Sequence, residues 1–342
     1  MPRSNQLSYL GKGGGIIDPV PAIEKAPRTF WRGRLGNMAP IPHVQPPLWP
    51  QGMSTTRLAA HFHALPVGCR VALIGLADDE GVRLNNGRPG AKNGPKAIRE
   101  ALAAYGVAEP EGWQWPRVFD AGDVVPGKDI HETHQRVTQA TAAILEHNLF
   151  PIALGGGHDL TFPFVRAVIE HEKKIAEGKG APLAGVYFDA HLDVRDTVGS
   201  GMPFRSLVDQ CGVKELHVFG LDHYANTHAH VEWFKSHGGR IHNHKAQQQQ
   251  GGPMHMPSLG NCFVSFDMDV LDSSCAPGVS AMNPCGWNVA QAEAWVHGAG
   301  RSERVRCFDL MELNPAVDET GRTARVAAHL LLTFLRGFSE RH

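Results

Sequence analysis

The chain has 342 residues, 42% of them hydrophobic, enough to enclose a large core in one sizeable domain. Its formal net charge is -1, so no global field recruits nucleic acid or an anionic membrane, and the expected partner is a small molecule or another copy of the chain. Six cysteines without a Cys-x-x-Cys pair, no hydrophobic leader, and no run of the roughly 18 apolar residues of a membrane span together fit a reduced cytoplasm.

Residues 1–55 are rich in Pro and Gly and read as an N-terminal extension. The run Gly11 to Gly15 lacks both the preceding strand and the closing Lys-Ser/Thr of a phosphate loop. The remainder, 56–342, reads as a single domain. Residues 70–76, RVALIGL, are its first buried strand, followed by a glycine-rich loop over 82–95. A helix follows over 96–105, with Pro95 at its start and Ile98 and Leu102 at helical spacing. Residues 117–120 form a short strand and 130–147 a long helix carrying Val137, Ala140, Ile144 and Leu145. Apolar runs then end in GGGHD (155–159) and in FDAHLD (188–193). Residues 215–220 read as another strand. The stretch 245–260 is a surface loop; His228, His230, His242, His244 and His255 lie around it without carboxylate partners and read as solvated. A third motif-bearing strand ends in SFDMDVLD (265–272), a further strand covers 304–310, and an amphipathic helix over 323–338 closes the chain. The alternation predicts a three-layer α/β/α fold with a mainly parallel central sheet and right-handed crossovers.

Alternate side chains of a strand share a face, so Asp189, His191 and Asp193 at a strand's carboxyl end are expected to aim the same way. Unpaired carboxylates buried together are costly, which makes a divalent cation the natural compensation. His158, Asp267 and Asp269 stand at two further strand ends, where an open α/β sheet places its ligands. Two imidazoles with an oxygen majority and no thiolate suit a pair of hard to borderline ions such as Mn²⁺, with carboxylates bridging them.

These three motifs, in this order and spacing, resemble the metal-binding signatures of the ureohydrolase family, over about residues 71–335. The resemblance implies an arginase-like fold, two Mn²⁺ per subunit and a homo-oligomer, a trimer or hexamer. It puts His158 and Asp193 on one ion and His191 and Asp269 on the other, with Asp189 and Asp267 bridging and Asp193 also passing a proton to the leaving nitrogen. Glu312, in FDLMELNP (308–315), matches the position that holds the amidine or guanidine group. Gly157 stands where arginases and agmatinases carry an acidic residue, and Ser200-Gly201 where they carry a His-Gly pair whose histidine shuttles protons. Both features, with the loop over 86–91, look like the branch that hydrolyses N-formimino-L-glutamate to L-glutamate and formamide. A guanidino-compound hydrolase or a catalytically silent metal-binding member are the alternatives. Arg195 sits where it can reach a substrate carboxylate, its other reading being an ion pair with Asp196. Arg88, Ser200 and Arg205 are further substrate-binding candidates.

Overall fold

The computed structural model describes residues 39–52, 57–106, 115–178, 182–242 and 260–341. The first 38 residues, His244, His255 and nearly all of the loop expected over 245–260 lie outside the described residues.

Strands form where aliphatic and aromatic residues predominate, because a parallel strand inside a sheet is covered on both faces. Val71–Leu76 (β2), Val118–Val124 (β3), Phe150–Leu154 (β4), Ala184–Phe188 (β5), Leu216–Phe219 (β6), Cys262–Asp267 (β8) and Val305–Met311 (β9) are buried almost throughout. Val44–Gln45 (β1) and Gly239–His242 (β7) are short and half-buried, as edge strands are. Among the described residues these make one sheet in the order β1-β3-β2-β4-β9-β8-β5-β6-β7, parallel except where β1 runs against β3. Side chains alternate across it: Val71 and Leu73 enter one core, Ala72, Ile74 and Leu76 the other. Beyond the short helix Glu80–Leu84 (α1), the helices Gly94–Leu102 (α2), Val289–Arg301 (α7) and Arg322–Ser339 (α8) close the first core. The second is closed by Ile130–Glu146 (α3), Thr161–Ile175 (α4), Pro203–Cys211 (α5) and His228–Ser236 (α6). The three-layer expectation is met.

The order places the site. After β4 the chain leaves that flank and returns as β5 on the far side of β9 and β8, so four central neighbours, β4-β9-β8-β5, present their carboxyl ends side by side. A reversal of strand order opens a crevice at such ends.

Three departures have physical causes. β3 runs on to Val124 instead of stopping at Asp120, because buried Arg99 of α2 pairs with Asp120 through two nitrogens (2.8 and 3.0 Å) and with Asp123 (2.6 Å). Those ion pairs make two acids tolerable inside the sheet. Part of the expected extension belongs to the body: β1 pairs with β3, and Trp49 donates to Asp120 at 3.0 Å. His242, expected in solvent, is drawn in by β7. It stacks on Phe219 (centroids 4.2 Å apart), and its Nε2 lies 2.7 Å from His217 Nδ1. The six cysteines form no disulfide, and no helix among the described residues is long and apolar enough to cross a membrane.

Candidate metal centre

β5 ends at Phe188, so Asp189, His191 and Asp193 do not converge through strand alternation as expected. They converge through a turn. Asp189 Oδ1 accepts the His191 N–H at 2.6 Å, and Asn226 Oδ1 accepts the Leu192 N–H at 2.9 Å. Asp193 then takes a left-handed backbone with φ +48°. The same device recurs after β8, where Asp267 Oδ1 accepts the Asp269 N–H at 2.8 Å. In each case a short acidic side chain caps its own turn and keeps its second oxygen for the site.

His158 enters from β4 through three glycines. A Cβ on Gly156 would lie 2.0 Å from Asp78 O, so only bare backbone passes there. The His158 N–H donates to Glu312 Oε1 at 2.8 Å. Its ring Nε2 lies 3.0 Å from Ser265 Oγ, which donates its proton to Asp309 Oδ1 at 2.5 Å. Thr161 Oγ1 donates to the other Asp309 oxygen at 3.1 Å. With the serine proton committed to Asp309, Ser265 accepts from Nε2–H, and Nδ1 of the neutral ring is left as the lone pair facing the carboxylates.

Two groups result. His158 Nδ1 stands 3.3 Å from Asp189 Oδ2, 2.9 Å from Asp193 Oδ2 and 3.0 Å from Asp267 Oδ2. His191 Nδ1 stands 3.4 Å from Asp189 Oδ1 and 3.1 Å from Asp269 Oδ2. The ligand atoms within each group lie within 4.8 Å of one another, and Asp189 is common to both. Asp267 joins only the first group.

The donor set fits a bound cation. His158 Nδ1, Asp189 Oδ2 and Asp269 Oδ1 are buried without a hydrogen-bond partner, close to opposite charges yet not aligned with them. A cation between them would supply the missing directed partner. The electrostatics agree. Burial, then Asp193, pushes the Asp189 carboxyl up; burial, then Asp269 and Asp189, pushes Asp267 well up. Burial alone would favour a neutral His158, but contacts with Asp189, Asp193 and Asp267 overcome it and hold the ring's proton well above the usual range. His191 is likewise raised, chiefly by Asp269. In the bare protein, protons do the work of the missing positive charge.

Glu312 follows β9, buried, with a left-handed φ of +66° and its N–H donating to Gly156 O at 2.9 Å. The glycine run of β4 and this carboxylate are thereby laced together in both directions.

The model of the Arginase family matches residues 69–336. The chain belongs to the arginase family. Within that family it is 33% identical to a formimidoylglutamase of Aeromonas salmonicida over 278 residues, covering 76% of this chain and 85% of the relative. It is 32% identical to the formimidoylglutamase of Aeromonas hydrophila over 328 residues, 89% of this chain and 96% of the relative. The solved structure of Trypanosoma cruzi formiminoglutamase with Mn²⁺ superposes with a TM-score of 0.75 at 29% identity, covering 84% of this chain and 99% of that one.

The outer candidates of this arginase-family site separate. Arg195 and Arg205 line one cleft of about 340 Å³ together with His131, His134 and Arg166. Arg195 forms no ion pair with Asp196 among the described residues; its Nη1 donates to Asn85 Oδ1 at 2.6 Å. Arg205 lies over the Trp233 ring and 3.5 Å from Asp209. Ser200 Oγ accepts from Asn85 Nδ2 at 3.2 Å. Arg88 spends its guanidinium on the carbonyls of Ser280 (2.9 Å) and Val279 (2.7 Å), fastening one loop to another. Sequence reasoning missed Ser265, Asp309, Asn226 and Asn85. An acid inside the otherwise apolar stretch from Cys307 to Met311 of β9 was a usable signal for Asp309, since a buried carboxylate needs partners. The others carry none.

Proposed function

We propose that the chain is a binuclear-metal hydrolase of N-formimino-L-glutamate, with two Mn²⁺ held by the two His–Asp groups and Asp189 shared between them. The observation that carries the reading is the meeting of those groups with a further buried carboxylate, Glu312, at four adjacent strand ends. The kinship at 32 to 33% identity with formimidoylglutamases supports the substrate. What bound divalent ions supply here is acidified water at neutral pH, without a strong base in the protein.

The chain's own residues do the rest. Glu312 pairs with the amidinium N–H groups and sets the formimino carbon in line for water. Water oxygen adds to that carbon, the bond from carbon to the glutamate nitrogen breaks, and the departing nitrogen takes a proton. Asp193 is the carboxylate to move that proton: its side chain is 14% exposed, against 0% for Asp189 and 2% for Asp267, so it opens toward the substrate. Arg195 meets a substrate carboxylate. Ser200 has no group that titrates near neutrality, so the histidine shuttle of guanidine hydrolysis is not reproduced.

Charge decides the substrate test. Formimino-L-glutamate carries carboxylates for Arg195, agmatine none, and arginine a longer cationic chain. On the manganese-loaded chain, kcat/KM for formimino-L-glutamate is expected to exceed that for arginine or agmatine at least about a hundredfold, about 2.7 kcal/mol in transition-state binding. Faster turnover of a guanidino compound would overturn the substrate while leaving the metal centre standing.

Metal loading is expected to release protons. His158 and His191 hold theirs above the usual histidine range in the bare protein, so an ion must displace them and apparent affinity rises with pH. Calorimetric titration with Mn²⁺ at pH 7, in two buffers of different ionisation enthalpy, should give different heats. Equal heats would mean that the imidazoles are already neutral.

A further inference from the structure

We infer that Asn85 is the positioning residue that presents Arg195 to the substrate's carboxylate end, with Ser200 as its clamp; the inference rests on the substrate reading above. The starting point is a cation on an exposed loop, which without restraint samples many rotamers and loses that freedom on binding. Here the restraint is built. The Arg195 N–H donates to Gly201 O at 2.8 Å, closing the loop over 195–201. The side chain then folds back across Gly201, where a Cβ would stand 2.9 Å from Arg195 Cδ and 3.0 Å from Nε. Any larger residue at 201 would push the arginine off this path.

At the end of the path, Nη1 donates to Asn85 Oδ1 at 2.6 Å. The Asn85 amide faces the arginine with its carbonyl because its nitrogen is engaged elsewhere, donating to Ser200 Oγ at 3.2 Å. Ser200 is itself tied down, its N–H donating to Gly81 O at 2.9 Å. One of the five guanidinium N–H groups is thus spent on holding the fork, leaving the other donors for a substrate carboxylate. The identity of the holder matters. An amide oxygen accepts the hydrogen bond and leaves the positive charge intact, whereas a carboxylate at 85 would neutralise the cation meant for the substrate. On this assignment Ser200 serves substrate recognition.

The test is a double-mutant cycle on the full, manganese-loaded chain, with initial rates on formimino-L-glutamate and metal content measured for each variant. Asn85→Ala is expected to raise KM about tenfold with kcat within about twofold, because a distal carboxylate contact is largely the same in ground and transition states. Asn85→Asp should raise KM further, about thirtyfold, although it keeps the hydrogen bond. In an Arg195→Ala background neither change should matter, since the residue they act through is gone. An unchanged KM in Asn85→Ala, the same penalty in the presence and absence of Arg195, or a fall in kcat with lost metal would each overturn the positioning role. If Arg195→Ala alone leaves KM unchanged, the reading of Arg195 as the carboxylate contact fails first and takes Asn85 with it. Wild-type metal content with a KM rise confined to Arg195-containing chains supports the inference.

Discussion

Asp189→Asn is expected to empty both metal groups and to lower kcat/KM by at least about four orders of magnitude. Asp189 is fully buried and is the carboxylate the two groups share, with one oxygen 3.3 Å from His158 Nδ1 and the other 3.4 Å from His191 Nδ1. Replacing an oxygen by NH₂ removes charge from both groups at once and turns a donor toward a space built for a cation. It also disturbs the acceptor that holds the His191 turn. His158→Ala and His191→Ala should each deplete chiefly one group, and Asp267→Asn should resemble His158→Ala more than Asp189→Asn. Elemental analysis after manganese loading and dialysis separates these patterns. An Asp189→Asn chain retaining the wild-type metal complement would remove Asp189 from its proposed role.

Glu312→Gln should cut turnover by about two orders of magnitude or more with metal content unchanged. Burial pushes the Glu312 carboxyl up, to about 8, against the pull of the His158 amide hydrogen bond. Asp269 and Asp193 add to the rise. A carboxyl so placed gains most from a partner that brings positive charge, and an amidinium does so with N–H groups arranged for two oxygens. Glutamine keeps the size and can still accept the His158 N–H, so the fold and the first metal group should survive. What it loses is the charge that orients the reacting carbon. Activity within a few-fold of wild type would reduce Glu312 to an acceptor for the His158 amide.

The interior strands were legible because uninterrupted runs such as VALIGL and CFVSF have one stable destination, the middle of a covered sheet. The six metal-group residues were legible because His and Asp right after such runs stand at strand ends, whatever the strand order. The order itself was not: that β9 and β8 lie between β4 and β5 is decided by long crossovers, which leave no local mark. Nor was the continuation of β3 through Asp120 and Asp123 legible, since their counter-charge, Arg99, comes from a helix some twenty positions away. Arg88 illustrates the opposite failure. Residue type suggested a ligand for the substrate, but the guanidinium finds two backbone carbonyls first. The short edge strands β1 and β7 hold too few buried residues to show a period.

The left-handed backbones of Asp193 and Glu312 carry a consequence for how this protein can change. A side-chain-bearing residue there costs about 1 to 2 kcal/mol relative to glycine, so the fold surrenders stability at the two positions assigned to substrate orientation and proton transfer. Relaxing either one to glycine would release strain and remove a buried or half-buried carboxyl group in the same step, set against the loss of a His158 partner. Where the strain outweighs that partner, selection for heat resistance alone runs toward an inert chain. A stability screen conducted without metal would then reward the loss of the reaction.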